Sequence, residues 1–285
     1  MGSEAQTQLG HRWPLPRQRF VFSDGLRLSV LDWEGDRPPL LLLHGVGGNA
    51  WMWGGLAREL GEHRRPLALD LRGYGDSQWS AGHDYLTDDH AGDVAALVAA
   101  LELERLDLVG FSWGGLVALA FAAEHPELVE RLVMVDISPS SELPEDAIPP
   151  NFRARFDSHA DAVEGERALA PRAEEATLEA LAALSTRAEA GGGLVRKMDP
   201  YLTGRWPFRS DDRWDQLRGL ARPALVVRAA ESPILSEDVA AAMAELPGVE
   251  LVTIPGSGHL VANEQPRLLG RAIIDFLNGK KGEDD

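Results

Sequence analysis

The chain has 285 residues, 44% hydrophobic and 26% charged, which is the composition of a globular protein large enough for one α/β domain with an insertion. A formal net charge of -17 disfavours phosphate-rich partners and so excludes nucleic acid as the expected ligand. With no cysteine there is no disulfide framework, thiolate metal site or cysteine nucleophile.

Residues 1–18 are polar and proline-bearing and read as a loose arm without a signal-length apolar stretch. No run elsewhere approaches the about 20 apolar residues of a membrane-spanning helix, so the expected location is the cytoplasm, with no membrane partner. Apolar residues alternate between Phe20 and Trp33 around Ser23-Asp24-Gly25, the pattern of a hairpin. Leu40-Leu41-Leu42-Leu43 then runs into His44-Gly45-Val46-Gly47-Gly48, as a strand buried on both faces runs into a glycine-rich loop.

Helical spacing over 51–62, a short strand at 66–70, a glycine-rich turn at 71–77 and a helix over 88–101 follow. The strand 106–109 leads into Gly110-Phe111-Ser112-Trp113-Gly114-Gly115, then a helix to Glu124 and a strand over 132–135. Repeated βα units predict a parallel sheet between helices. The alternation stops at about 139–215, where a proline-rich stretch (143–150), alanine-rich helical patterns (164–187), Gly191-Gly192-Gly193 and the aromatics Tyr201, Trp206, Phe208 and Trp214 predict an inserted helical lid. It resumes over 216–278 with a strand at 223–228, a helix at 236–246, a strand at 249–254, the loop Gly256-Ser257-Gly258-His259 and a helix at 266–277. The charged tail 279–285 reads as disordered.

G-x-S-x-G between a strand and a helix has a mechanical meaning. The tight turn strains the serine backbone and presents its hydroxyl, and the flanking glycines avoid side-chain clashes. Ser112 is therefore the candidate nucleophile. A serine hydroxyl needs a base and a group to orient that base. Of the eight histidines, His259 alone sits on a glycine-rich loop after a late strand. His44 is read as an organiser of its loop, and His11, His63, His83, His90, His125 and His159 as solvent-facing. Backbone N–H groups of Val46 and Trp113 are candidate donors to a developing oxyanion. Asp70, Arg72 and Asp76 are read as loop braces, and Trp113, Trp206 and Trp214 as candidates for lining the pocket.

Taken together and in this order, His44-Gly45-Val46-Gly47-Gly48, the turn from Asp70 to Ser77, Gly110 to Gly115 and Gly256 to His259 resemble the successive motifs of the α/β-hydrolase superfamily. The resemblance implies a mostly parallel sheet of about eight strands with one early antiparallel strand, a helical cap over the site, and Ser112 and His259 as nucleophile and base. The commonest family pattern carries an aspartate after the strand 224–228, but this chain has Ala229-Ala230-Glu231-Ser232-Pro233 there. Asp136, one strand after the nucleophile, matches an acid position used by some members, and Glu231 is the alternative. The implied activity is hydrolysis of a small to medium carboxylic ester or lactone without metal or organic cofactor, with an amide, enamide or carbon–carbon bond as alternative substrate. A non-catalytic ligand receptor is the reading from another class.

Overall fold

The computed structural model describes residues 15–140, 152–203, 205 and 211–280. The arm before residue 15, the proline-rich stretch 143–150, Trp206, Phe208 and the tail from 281 lie outside the described residues.

The expected hairpin forms from β1 (Arg17–Ser23) and β2 (Leu26–Asp32), turning through Asp24 and Gly25, both at positive φ. β1 begins inside the stretch read as a loose arm, because pairing with β2 satisfies its backbone from Arg17 onward. The leucine run is β3 (Pro39–Leu43). The single helix expected at 51–62 is instead a 3-10 turn (Ala50–Trp53) followed by α1 (Ala57–Gly61), since Asn49 caps the turn and Gly54 ends it. Next come β4 (Arg65–Leu69), α2 (Thr87–Ala100), β5 (Leu106–Phe111), α3 (Trp113–Glu124) and β6 (Val129–Val135).

Where helices alone were expected, the chain forms β7 (Arg155–Phe156), α4 (His159–Leu169), α5 (Glu175–Ser185), β8 (Thr186–Ala188), β9 (Leu194–Arg196) and α6 (Trp214–Arg218). The three short strands make an antiparallel sheet in the order β7-β9-β8. The regular alternation returns with β10 (Ala224–Ala229), α7 (Glu237–Ala244), β11 (Val249–Ile254), α8 (Val261–Glu264) and α9 (Pro266–Leu277).

The main sheet has eight strands in the order β1-β2-β4-β3-β5-β6-β10-β11, parallel except for β2, which is antiparallel to both neighbours. The pleat separates alternate residues of β3. Leu41 and Leu43 join one buried cluster with Val94, Leu97, Trp113 and Phe121, while Leu40 and Leu42 join another with Trp53, Leu269 and Phe276. Burial on both faces explains the uninterrupted leucine run. A third cluster, built on Phe156, Val163 and Leu178, holds the inserted segment together.

That segment is tied to the loops beyond the strands. Met198 bridges Tyr74, Gly75 N–H donates to Lys197 O (2.8 Å), and Asn49 Nδ2 donates to Ser185 Oγ (2.9 Å). Because the central strands are parallel, the residues that follow β3, β5, β6, β10 and β11 all collect at one edge of the sheet.

Candidate active site

Ser112 stands between β5 and α3 at φ 51° and ψ -129°, a backbone conformation that a residue with a Cβ rarely adopts. The turn is held by Ser112 N–H donating to Val135 O (2.8 Å) and Gly115 N–H donating to Ser112 O (2.7 Å). Its glycines are sterically required. A Cβ on Gly110 would lie 2.2 Å from Gly114 O, and one on Gly114 would lie 2.4 Å from His44 O. The His44 loop crosses just as closely, since a Cβ on Gly45 would meet Ser112 Cβ at 2.8 Å.

His259 arrives from the loop after β11, its ring against Phe111 with centroids 4.8 Å apart. Its Nε2 is 3.0 Å from Ser112 Oγ and its Nδ1 is 2.7 Å from Asp136 Oδ2. Asp136 follows β6 at φ 53° and is wholly buried. Its backbone N–H donates to Val227 O (2.7 Å), and its Oδ1 accepts the Ala229 N–H (3.0 Å). Both carboxylate oxygens are therefore engaged, Oδ1 by the end of β10 and Oδ2 by the loop after β11. A carboxylate can only accept, so it selects the tautomer with the proton on Nδ1, leaving the Nε2 lone pair directed at the serine hydroxyl. In that arrangement an imidazole can take the hydroxyl proton as the oxygen attacks.

Glu231 is placed elsewhere. Its backbone N–H donates to Ser257 O (3.0 Å), and its half-exposed carboxylate pairs with Arg172, so it does not meet His259 Nδ1. Ser232, at the position where the commoner pattern has aspartate, accepts the Ile234 N–H on its hydroxyl (3.1 Å).

His44 lies beneath the Gly45-Val46-Gly47-Gly48 turn. Its Nδ1–H donates to Gly45 O (2.7 Å) and its Nε2 accepts the Leu71 N–H (3.0 Å). Burial pushes its pKa down to about 4, partly countered by the bond to Gly45, so the ring is neutral, as one donor and one acceptor require. Val46 thus sits on a turn anchored from below, one residue after the glycine that abuts Ser112, and Trp113 opens α3 directly after the serine. Asp70 braces the same region from β4, accepting from Ala50 N–H (2.7 Å) and Asp76 N–H (3.0 Å). Burial raises its pKa to about 6. Arg72 forms a bidentate pair with buried Asp93 (2.6 and 2.7 Å).

Two expectations need correction. His90 is fully buried on α2 and does not face solvent. Its ring meets the Trp113 indole edge-on with centroids 4.4 Å apart, and burial holds its pKa well below the ordinary value. The Trp113 side chain is likewise a core group, fully buried with its Nε1–H donating to Thr87 Oγ1 (2.9 Å), and it does not line a pocket. Trp214 packs at the end of the inserted segment, its indole N–H donating to Ser140 Oγ (3.3 Å), four residues beyond Asp136. Trp206 lies outside the described residues.

Sequence reading missed three residues around the site. The Phe152 ring occupies the space beside Gly47, where an added Cβ would come within 2.4 Å of it. Glu264, on α8, accepts the Gly258 N–H (2.6 Å) and the Arg172 N–H (3.3 Å). Arg172 in turn reaches from the inserted segment to Glu231 and to within 3.9 Å of Glu264. The available signal was the placement of Glu264 one short helix after His259.

The family model for the alpha/beta hydrolase fold matches residues 38–266. The chain belongs to this family. Among curated relatives it is 29% identical to an esterase of Mycobacterium tuberculosis, Rv0045c, over 97% of this chain and 93% of that one. It is 30% identical to 2-hydroxy-6-oxo-2,4-heptadienoate hydrolase of Pseudomonas putida, over 91% of this chain and 95% of the relative. Among solved structures, E-2-(acetamidomethylene)succinate hydrolase superposes with a TM-score of 0.83 at 25% identity, covering 92% of this chain and 99% of that one. No helix of this alpha/beta hydrolase is long and apolar enough to cross a membrane among the described residues.

Proposed function

We propose that the protein is a serine hydrolase that cleaves a small to medium carboxylic ester or lactone through an acyl-enzyme intermediate. The observation that carries the reading is the continuous chain from Ser112 Oγ through His259 to Asp136, at 3.0 and 2.7 Å, with the serine held at positive φ. Ser112 Oγ attacks the carbonyl carbon while His259 Nε2 takes its proton. The carbonyl oxygen becomes an oxyanion facing the Val46 and Trp113 backbone N–H groups. Such fixed donors each contribute about 3 kcal/mol of transition-state stabilisation, because they need no reorientation as charge develops. Collapse breaks the bond to the leaving alkoxide oxygen, which receives the proton from His259. Water then attacks the Ser112 ester, giving its proton to His259, and the second collapse returns that proton to Ser112 and releases the acid. Asp136 keeps the imidazole in the required tautomer and faces the positive charge it transiently carries.

Residues 139–215 act in this reading as a cap that limits the acyl group. Phe152 beside Gly47 and the Asn49–Ser185 bond support that role. A second reading, amide or enamide cleavage, is favoured by the likeness to E-2-(acetamidomethylene)succinate hydrolase. The ester reading is preferred for an electrostatic reason. Arg172, whose guanidinium lies beside the His259 loop, pairs with Glu231 and lies 3.9 Å from Glu264, so two carboxylates compete for it with the anionic group of a succinate-type amide.

The test has two arms. A fluorophosphonate probe is expected to add to Ser112, and absence of an adduct under conditions that label a control esterase would leave the protein a non-catalytic receptor. A panel of esters of graded acyl length, lactones and amides then ranks the substrates, and faster amide than ester turnover would reverse the preference.

A further inference from the structure

Glu264 has an environment that surface glutamates lack. Its side chain is 1% exposed, although it lies within one short helix of a loop open to the site. One oxygen accepts the Gly258 N–H at 2.6 Å, immediately before His259, and the other accepts the backbone N–H of Arg172 at 3.3 Å, from the inserted segment. The Arg172 guanidinium lies 3.9 Å away and bonds Glu231, whose own N–H donates to Ser257 O in the same loop. A single buried carboxylate thus joins the residue before the base to the segment between β6 and β10.

We propose that Glu264 is a positioning residue for His259, through which the inserted segment fixes the geometry of the base. The proposal rests on the serine-hydrolase reading. Other bonds hold the loop on either side, Gln265 Nε2–H to Gly256 O (3.1 Å), Glu231 N–H to Ser257 O (3.0 Å) and Val261 N–H to His259 O (2.9 Å), while the Gly258 N–H, the peptide donor next to the base, is taken by the Glu264 carboxylate. A charge-assisted bond to Gly258 restrains the backbone one residue from the imidazole, and the bond to Arg172 N–H aligns the carboxylate that makes it. Displacement of a reacting group by about 1 Å can slow an enzyme a hundredfold, so a small rotation of this loop is enough to matter.

The experiment uses the full chain and counts active sites by fluorophosphonate titration before measuring turnover of a nitrophenyl ester. Glu264→Ala and the volume-filling Glu264→Met both remove the acceptor, so either that accumulates as folded protein serves. Each is expected to lower kcat per titrated site about tenfold or more and the probe's bimolecular labelling rate in parallel, with KM changed less than threefold. Glu264→Gln keeps an oxygen for the Gly258 N–H but turns its NH2 towards the Arg172 N–H, and is expected to recover part of kcat, above the level of Glu264→Ala. A purely structural role would lower the titratable fraction and the melting temperature but leave kcat per site unchanged. The inference is overturned if an acceptor-free variant keeps kcat per site within twofold of the unaltered protein, or if Glu264→Gln falls as far as Glu264→Ala. Failure of the unaltered protein to label at Ser112 would instead reject the hydrolase reading itself.

Discussion

Replacing Asp136 with asparagine tests the acid assignment, and the structure dictates what the amide will do. The Ala229 N–H points at Oδ1 from 3.0 Å and demands an acceptor there, so the amide oxygen must take that position. The amide nitrogen is then forced to the Oδ2 position, 2.7 Å from His259 Nδ1. Two donors cannot face each other, and the imidazole responds by moving its proton to Nε2, where it blocks acceptance of the Ser112 proton. Loss of the required tautomer costs roughly 10⁴-fold in turnover where it has been engineered in serine hydrolases, or about 5 kcal/mol of transition-state stabilisation. Asparagine is also the fair substitution for the backbone, since it tolerates the positive φ of 53° better than alanine does. The assay is kcat/KM on a nitrophenyl ester beside a thermal melt, with Glu231→Gln as the comparison. Glu231 is half exposed and paired with Arg172, so its variant should stay within about twofold, the scale of a surface ion pair. Retention of more than a tenth of the activity by Asp136→Asn, or an equal loss in Glu231→Gln, would refute the assignment.

The strain at Ser112 gives a second expectation: Ser112→Gly should abolish turnover yet raise stability by about 1 kcal/mol, because glycine adopts φ 51° without penalty. Chemical denaturation reads the gain, and a lower midpoint than the parent would count against stored strain. Gly114→Ala should destabilise by about 3 kcal/mol or prevent soluble accumulation, since its methyl would press on His44 O at 2.4 Å, a backbone atom with nowhere to move. A melt within about 1 °C of the parent would contradict this, given that 1 kcal/mol corresponds to roughly 2–4 °C in a protein approaching this size. Stability should also depend on pH. His44, held near 4 by burial, binds its proton less readily folded than unfolded, so it withdraws stability as pH falls from 6.5 towards 4, about 3 kcal/mol at about 1.4 kcal/mol per pH unit. His90 acts in the same direction. Asp70, raised to about 6, acts oppositely, adding stability as pH falls from 6 towards 3.8. Denaturant midpoints should therefore drop more steeply with acidification in Asp70→Asn than in the parent, and equal slopes would show that Asp70 does not titrate as its burial requires.

Much of this protein is legible in its sequence wherever a physical constraint is local. The central parallel strands bury both faces, so 40–43, 106–109 and 132–135 appear as apolar runs, and the turns after the first two need glycine for close approaches that other residues would block. His90 was misread although its signal was present. It shares a helical face with Val94 and Leu97, four and seven positions on, and that apolar stripe carries it into the core. The strands β7, β8 and β9 left no such signal, because two or three residues are too few to display alternation.

The tertiary structure decided what depends on reach between distant segments. Ser112 and His259 could be named from their turns, but the choice between Asp136 and Glu231 could not, since β6 and β10 are neighbours and the loops after both end beside the β11 loop. What separates the two carboxylates is direction. The left-handed backbone at Asp136 and the Ala229 N–H turn one towards His259, while Arg172 draws the other outward. Those forces come from residues 93 and 59 positions away in the chain, a separation at which sequence pattern carries no geometric information.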